Sequence, residues 1–326
     1  MAVAQAPEGA KVAPTAKKAE RSQFAKQQER LAYMLLAPTL LLILVVAAWP
    51  LYQAITLSFT NERLGQPGQG EYVGFENYTD LLGSFRTRSD GSTRFRYDGD
   101  FYEAVGNTIV LTLASVVLET VIGLAIALVI NSKFKLRGFM RTAVLVPWAI
   151  PTVVSAQMWR WMYNDVFGVI NDMFMKVGII AEPIAWLANK NTALGAIIAM
   201  EVWKTTPFMA LLLLAGLQII SGDIYEAADI DGANKVQQFF TLTLPLLRPA
   251  ILVALIFRTL DALRIFDAIK VMTNGGSGTE VMATYAYRNL FDFQKLGYGN
   301  AINVVIFFII AIFVVTYVTT LKVEEA

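Results

Sequence analysis

The chain alternates between long apolar runs and shorter polar ones, and this rhythm predicts membrane-crossing helices. Apolar blocks lie at residues 31–59, 104–130, 140–163, 193–220, 246–271 and 301–321. Each is close to the roughly 20 residues that a helix needs to span a bilayer. The first is long enough to cross with some tilt, and Pro38 and Pro50 can kink it. The third carries Pro147 and Pro151. Backbone groups freed by proline must be satisfied inside a bundle, so this helix is expected to be broken and to face its neighbours. Between the blocks, residues 60–103 are polar with many aromatics. Residues 164–191 hold a short helical pattern of Val169, Ile170, Phe174 and Val177. The expected class is an all-α polytopic membrane protein.

Composition sharpens this. The 326 residues are 56% hydrophobic and 16% charged, against about 25% charge in a soluble domain. A net charge of +1 argues against nucleic acid as a partner. With no Cys and no His, thiolate and imidazole chemistry and most transition-metal sites are excluded. No residue is assigned a catalytic or metal-binding role. The one glycine cluster, Gly275-Gly276-Ser277-Gly278, lacks a phosphate-binding lysine. The chain is therefore expected to be no enzyme and to carry no cofactor; ATP and Mg, if used, belong to another polypeptide.

Charge then orients the spans. Residues 1–30 read as a disordered basic tail (Lys11, Lys17, Lys18, Arg21, Lys26, Arg30), followed by a membrane domain at 31–326. The loop NSKFKLRGFMR carries Lys133, Lys135, Arg137 and Arg141 with no acid. Both favour the cytoplasm. With about six crossings, both termini and residues 221–249 are cytoplasmic, and residues 60–103 lie outside. The first block starts too far in and runs too long for a cleaved signal peptide.

Arg258, Asp261, Arg264 and Asp267 recur at spacing three in the fifth block, advancing about 300° per step on a helix. An ionised residue at bilayer depth costs about 2.5–3.5 kcal/mol, so such groups face protein or water. Two readings stand: a structural ion-pair ladder, or the polar wall of a translocation cavity. A sugar suits the second, because carboxylates and guanidinium groups bind hydroxyls directionally and Phe266 can stack on a ring face. Glu201 and Lys204, three apart, are expected to pair.

The polar island at 221–249 is a helix former in an apolar half. Asp223 can cap a helix, with Glu226 at the capping-box position. Ala227, Ala228 and Ala233 have little side chain, Gly232 marks a turn, and Val236, Phe239, Phe240 and Leu244 form an apolar stripe. Pro245 and Pro249 are expected to end that helix. Periodicity alone leaves open a helix lying on the membrane surface.

Glu226-Ala227-Ala228, Asp231-Gly232-Ala233, Leu244-Pro245 and Pro249 together resemble the EAA loop of bacterial binding-protein-dependent ABC importers. YVGFENYTDLL at 72–82, LRGFMRTAVLVPWAIP at 136–151 and FRTLDALRIFDAIKVMTNGG at 257–276 resemble sugar-type, maltose- and trehalose-like, permeases. The resemblance implies a type I importer permease fold in the plasma (inner) membrane of a prokaryote. It implies a coupling helix (Glu226, Ala227, Ala228, Asp231, Gly232, Ala233) docked on a separate ATPase. It implies sugar contacts at Thr205, Phe208, Ala262, Ile265 and Asp267, to which the residue reading adds Asp261, Arg264 and Phe266. The implied partners are a second homologous permease forming a heterodimer, two ATPase subunits and an extracytoplasmic solute-binding protein. Two rivals remain from the residues. One is a permease for glycerol phosphate or a small polyol, with Arg258 and Arg264 as anion ligands. The other is an ion-coupled carrier using Asp261 or Asp267.

Overall fold

The computed structural model describes residues 23–66, 68–87, 92–132 and 134–321. Lys11, Lys17, Lys18, Arg21 and Lys133, on which the orientation partly rests, lie outside these. Two units divide after Gln53. In the first, α1 (Gln23–Ile43) passes through a π turn (Leu44–Ala48) into α2 (Trp49–Leu57). The π turn spans residue 46, the carbonyl that the Pro50 ring would otherwise strike.

The second unit begins with α3 (Glu76–Leu82) and a feature the periodicity did not announce, an antiparallel hairpin of β1 (Ser84–Thr87) and β2 (Thr93–Arg96). Its strands are only four residues each, too short to register against the helical pattern around them. α4 (Gly99–Asn131) is the first long helix of this unit. α5 (Arg137–Ala149) and α6 (Thr152–Met162) meet at an 88° bend, at Ile150-Pro151 as expected of this proline, while Pro147 is accommodated within α5. α7 (Val169–Lys176) realises the short helix expected in the following loop. Then come α8 (Lys190–Ile219), α9 (Gly222–Ile230) and α10 (Lys235–Gln238). A second π turn (Phe239–Thr243) leads into α11 (Leu244–Ala262), followed by α12 (Asp267–Met272), α13 (Met282–Tyr287) and α14 (Leu296–Leu321). Among the described residues five helices are long and apolar enough to cross a membrane, and six if the bent α5–α6 pair is one span.

Two boundaries depart from expectation. Pro245 and Pro249 do not end the helix that precedes them: it runs unbroken from Lys235 to Ala262. The π turn places its slack at residue 241, four before Pro245, so the proline ring is absorbed without a break. At the other end the fifth span stops at Ala262 rather than 271. Arg264 and Ile265 donate their N–H groups to Asp261 and Ala262, three residues back, and these tightened bonds close the helix. The four charged positions therefore do not share one helix.

α8 is the most buried of the spans and packs on α4, α5, α6 and α11. A Cβ on Gly216 would sit 2.4 Å from that of Ala250, so only glycine lets α8 and α11 approach this closely. Leu213 and Leu217 pack there with Leu247 and Ala254. At the opposite, hairpin end, Leu81, Phe101, Tyr285 and Ile302 form a separate cluster.

Candidate functional site

Two places in the second unit concentrate polar side chains on span-length helices. The first is mid-bundle, where α4, α8 and α11 meet around Arg258. Arg258 as a whole residue is 1% exposed. Its Nε donates to Glu119 Oε2 at 2.5 Å and its Nη2 to Glu119 Oε1 at 2.9 Å, a bidentate pair between α11 and α4. Nη2 also reaches Glu201 Oε1 of α8 at 3.4 Å, and Nη1 donates to Asp261. Thr205 Oγ1 lies 2.6 Å from Glu119 Oε1 and 2.6 Å from the Glu201 carbonyl. One cation thus gathers three acids from three helices.

Arg258 and Asp261 of the fifth block thus form an ion pair, joined by Glu119, a partner that sequence reasoning did not single out. Glu119 was detectable: it is the lone charge in the apolar run of α4 after Glu103, and a lone intramembrane acid calls for a counter-charge. The expected Glu201–Lys204 pair does not form. Glu201 turns to Arg258, while Lys204 Nζ donates to the Ile150 carbonyl at 2.7 Å. That carbonyl is at the α5–α6 bend, where proline has broken the helical ladder, so the ammonium satisfies a group left open.

The expected substrate positions divide by exposure. Asp261, Arg264 and Asp267 are exposed, and the Asp261 carboxylate is the accessible end of the buried cluster, 66% exposed against 2% for Arg258. Arg264 does not pair with Asp261; its Nε donates to the Leu260 carbonyl. Phe208 stacks on Trp148 at 5.9 Å and Phe266 lies against Tyr287 at 5.3 Å, both half-buried. Thr205, Ala262 and Ile265 are buried within the chain. Ala262 and Ile265 pack where the fifth span closes, and the Thr205 hydroxyl is occupied by Glu119.

The second place is the loop between α8 and α11. Ser221, not Asp223, caps α9, accepting the Asp223 N–H at 3.4 Å. The capping box is at Asn234 and Gln237, opening α10. Between them Gly232 takes φ +80°, and the Ala233 N–H returns to the Ala228 carbonyl at 2.9 Å, a left-handed helix stop that glycine adopts without a Cβ penalty. A polar clamp holds the turn. Lys235 Nζ meets Asp229 at 2.8 Å and Gln238 Nε2 meets it at 2.5 Å, and these hydrogen bonds hold the Asp229 carboxyl below its ordinary value.

On this rigid corner the motif residues face two ways. Ala228 is buried, while Glu226, Ala227, Asp231 and Gly232 are exposed and Ala233 is half-buried. Glu226 makes no hydrogen bond or ion pair with any described residue. Ile230, which the sequence did not single out, is 86% exposed, and Val236 and Phe240 are also exposed. The loop presents an uncommitted carboxylate beside bare alanine and apolar knobs.

The family described as binding-protein-dependent transport system inner membrane component matches residues 119–322. The chain is 40% identical over 279 residues to the sulfoquinovosyl glycerol transport system permease protein SmoG of Agrobacterium fabrum, covering 85% of each. It is 39% identical over 300 residues to the trehalose/maltose transport system permease protein MalF of Thermococcus litoralis, covering 91% of this chain and 95% of that one. It is 38% identical to the trehalose transport system permease protein SugA of Mycobacterium tuberculosis over 285 residues. A chain of a bacterial ABC transporter that imports the acidic polysaccharide alginate has the same fold, with a TM-score of 0.75 at 22% identity over 94% of this chain and 100% of that one. By the family match and by these relatives, the chain belongs to the inner membrane components of binding-protein-dependent transport systems.

Proposed function

We propose that this chain is the permease subunit of an ATP-driven importer that moves a sugar across the membrane by alternating access. The observation that carries the reading is the loop between α8 and α11. Glu226 and Ala227 stand exposed on a clamped helix joined directly to span-length helices, and Glu226 has no partner among the described residues. A carboxylate placed so can reach a basic group on a separate ATPase, and the neighbouring alanine lets the two surfaces close together. Closure of two ATPase subunits would draw the coupling helices together, and α8 and α11 would follow as a largely rigid body. ATP drives transport only if nucleotide state and cavity state are reciprocally coupled.

The substrate class follows from the relatives, whose names record trehalose, maltose and sulfoquinovosyl glycerol. Asp261, Arg264 and Asp267, exposed on or beyond the end of α11, supply hydroxyl ligands, with Phe208 and Phe266 as ring platforms. The remaining members of the assembly are a second permease, the ATPases and an extracytoplasmic binding protein, with α9 and both termini in the cytoplasm. A phosphate-bearing polyol, for which Arg258 and Arg264 would be the ligands, would find Arg258 already held by three carboxylates and Arg264 alone exposed.

The test is ATP hydrolysis by the co-purified complex in nanodiscs, with binding protein, with and without trehalose or maltose. Sugar-loaded binding protein should stimulate hydrolysis, and Glu226→Ala should abolish the stimulation. A complex whose hydrolysis ignores both binding protein and Glu226 would leave the reading without support and favour an ion-coupled carrier.

A further inference from the structure

Two half-answered charges lie three residues apart on α8. Lys204 is 7% exposed and Glu201 6%, so both are taken out of water midway along a span-length helix. The Lys204 ammonium pairs with no carboxylate among the described residues. It donates to the Ile150 carbonyl at 2.7 Å and, at 3.5 Å, to that of Trp148. The Glu201 carboxylate reaches only Arg258 Nη2, at 3.4 Å. That guanidinium keeps Asp261 and both bonds to Glu119 without it. A neutral donor would satisfy the Ile150 carbonyl at a far lower desolvation cost than an ammonium. Capping a carbonyl therefore does not account for the charge. Opposite charges three apart on a helix lie within reach of each other, yet here each is turned to another element.

What Lys204 holds is a corner. Ile150 lies at the 88° bend between α5 and α6, and α6 opens after Pro151 with no side-chain cap. Proline supplies no N–H there, so the bend has few hydrogen bonds of its own. α8 meets both arms of the bend. Phe208 stacks on Trp148 of α5, and Trp203 meets Trp159 of α6 edge-on at 5.6 Å. The Lys204 ammonium is the polar tie between these two ring contacts.

We infer that Lys204 is a positioning residue for transport, whose ammonium exchanges the Ile150 carbonyl for the Glu201 carboxylate as the corner turns. In the conformation described, the ammonium holds the corner and Glu201 leans on Arg258. In the other, Lys204 pairs with Glu201, the Ile150 carbonyl is released, and Arg258 keeps Glu119 and Asp261. Each arrangement leaves one group short, the ammonium without a carboxylate in the first and the carbonyl without a donor in the second. Two such packings lie close enough in free energy for a cycle to move between them. The inference rests on the importer reading above. It adds a device within α8 that gives the bend at Pro151 two settings.

The test uses the assembled importer in nanodiscs and follows two quantities, hydrolysis stimulated by sugar-loaded binding protein and the thermal midpoint. The variants are Lys204→Met, Lys204→Gln, Glu201→Gln, and Lys204→Met combined with Glu201→Gln. Lys204→Met and Glu201→Gln should each lower the maximal stimulated rate by roughly tenfold or more, at an unchanged half-stimulating concentration of binding protein. The double variant should fall no further than the slower single, because either change already disables the same exchange. Lys204→Gln still donates to the Ile150 carbonyl but carries no charge, so it should melt closer to wild type than Lys204→Met and yet turn over as slowly. Wild-type turnover in Lys204→Gln would overturn the exchange and leave Lys204 as a carbonyl cap. A double variant slowed by the product of the single effects, about a hundredfold, would overturn it too, since the two residues would then act independently. Wild-type hydrolysis that ignores the loaded binding protein would instead remove the importer reading.

Discussion

The Arg258 cluster and the α9 corner are both rich in charge, yet they treat it in opposite ways. Mid-bundle, Arg258 spends its guanidinium on Glu119, Glu201 and Asp261, and the result binds three helices of one chain. At the corner, Asp229 is spent on Lys235 and Gln238, but Glu226 is left open. The lesson is that commitment, rather than charge or depth, separates structure from contact. A buried ion pair is costly to form and far more costly to leave half-made, so Arg258, Glu119 and Glu201 cannot also serve a transient partner, and only the Asp261 carboxylate, 66% exposed, stays accessible. An exposed acid on a stiff helix has no such obligation.

That contrast breaks first at Glu119. Glu119→Ala leaves the buried guanidinium short of its bidentate partner, and the expected loss is about 3–5 kcal/mol. It should show as a large drop in the thermal midpoint of the purified protein, followed by tryptophan fluorescence. A variant melting like wild type would mean that the cluster holds nothing. Gly216→Ala comes next. The new methyl meets Ala250 at 2.4 Å, so α8 and α11 must part, at about 1–3 kcal/mol. The same melt should register it, with no change at the hairpin end.

Gly232→Ala sharpens the other side. No atom lies within 4 Å of the added Cβ, so the cost is the left-handed conformation alone, about 1–2 kcal/mol. It should raise hydrogen exchange in residues 229–238 while leaving α8 protected. The smallest effect concerns pH. Burial pushes the Glu280 carboxyl up to about 7, against the pull of Arg288 and with the carboxylates of Asp100, Glu103 and Asp98 adding to the rise. The folded state then holds a proton that the unfolded chain has released, so stability falls as pH rises from the ordinary carboxylate range through about 7. Glu280→Gln should flatten that slope in melts taken between pH 5 and 8. An unchanged slope would exclude Glu280 as its source.

How much of this was legible beforehand varied with the kind of signal. Span number and the bend at Pro151 follow from apolar length and from proline's missing donor, both local properties. The α9 motif was legible because residue types and spacing are contiguous. Span ends were not. The stop at Ala262 has no Gly or Pro to mark it, and the continuation through Pro245 depends on a π turn that no residue type announces. Long-range partners were the hardest. Glu119 and Arg258 are 139 residues apart, and only the packing of α4 on α8 and α11 decides that Glu201 turns to Arg258 rather than to Lys204. The hairpin escaped because strands this short leave little pattern.

The most direct test of the central claim uses the chain's lack of cysteine, which makes any introduced thiol unique. Maleimide labelling of Ala227→Cys is compared in the purified chain and in the complex with its ATPase subunits. The account predicts rapid labelling of the chain alone and strong protection in the complex, with Ala228→Cys slow in both. Equal labelling of Ala227→Cys in the two states would contradict it, because α9 would then not be the surface on which the ATPase acts.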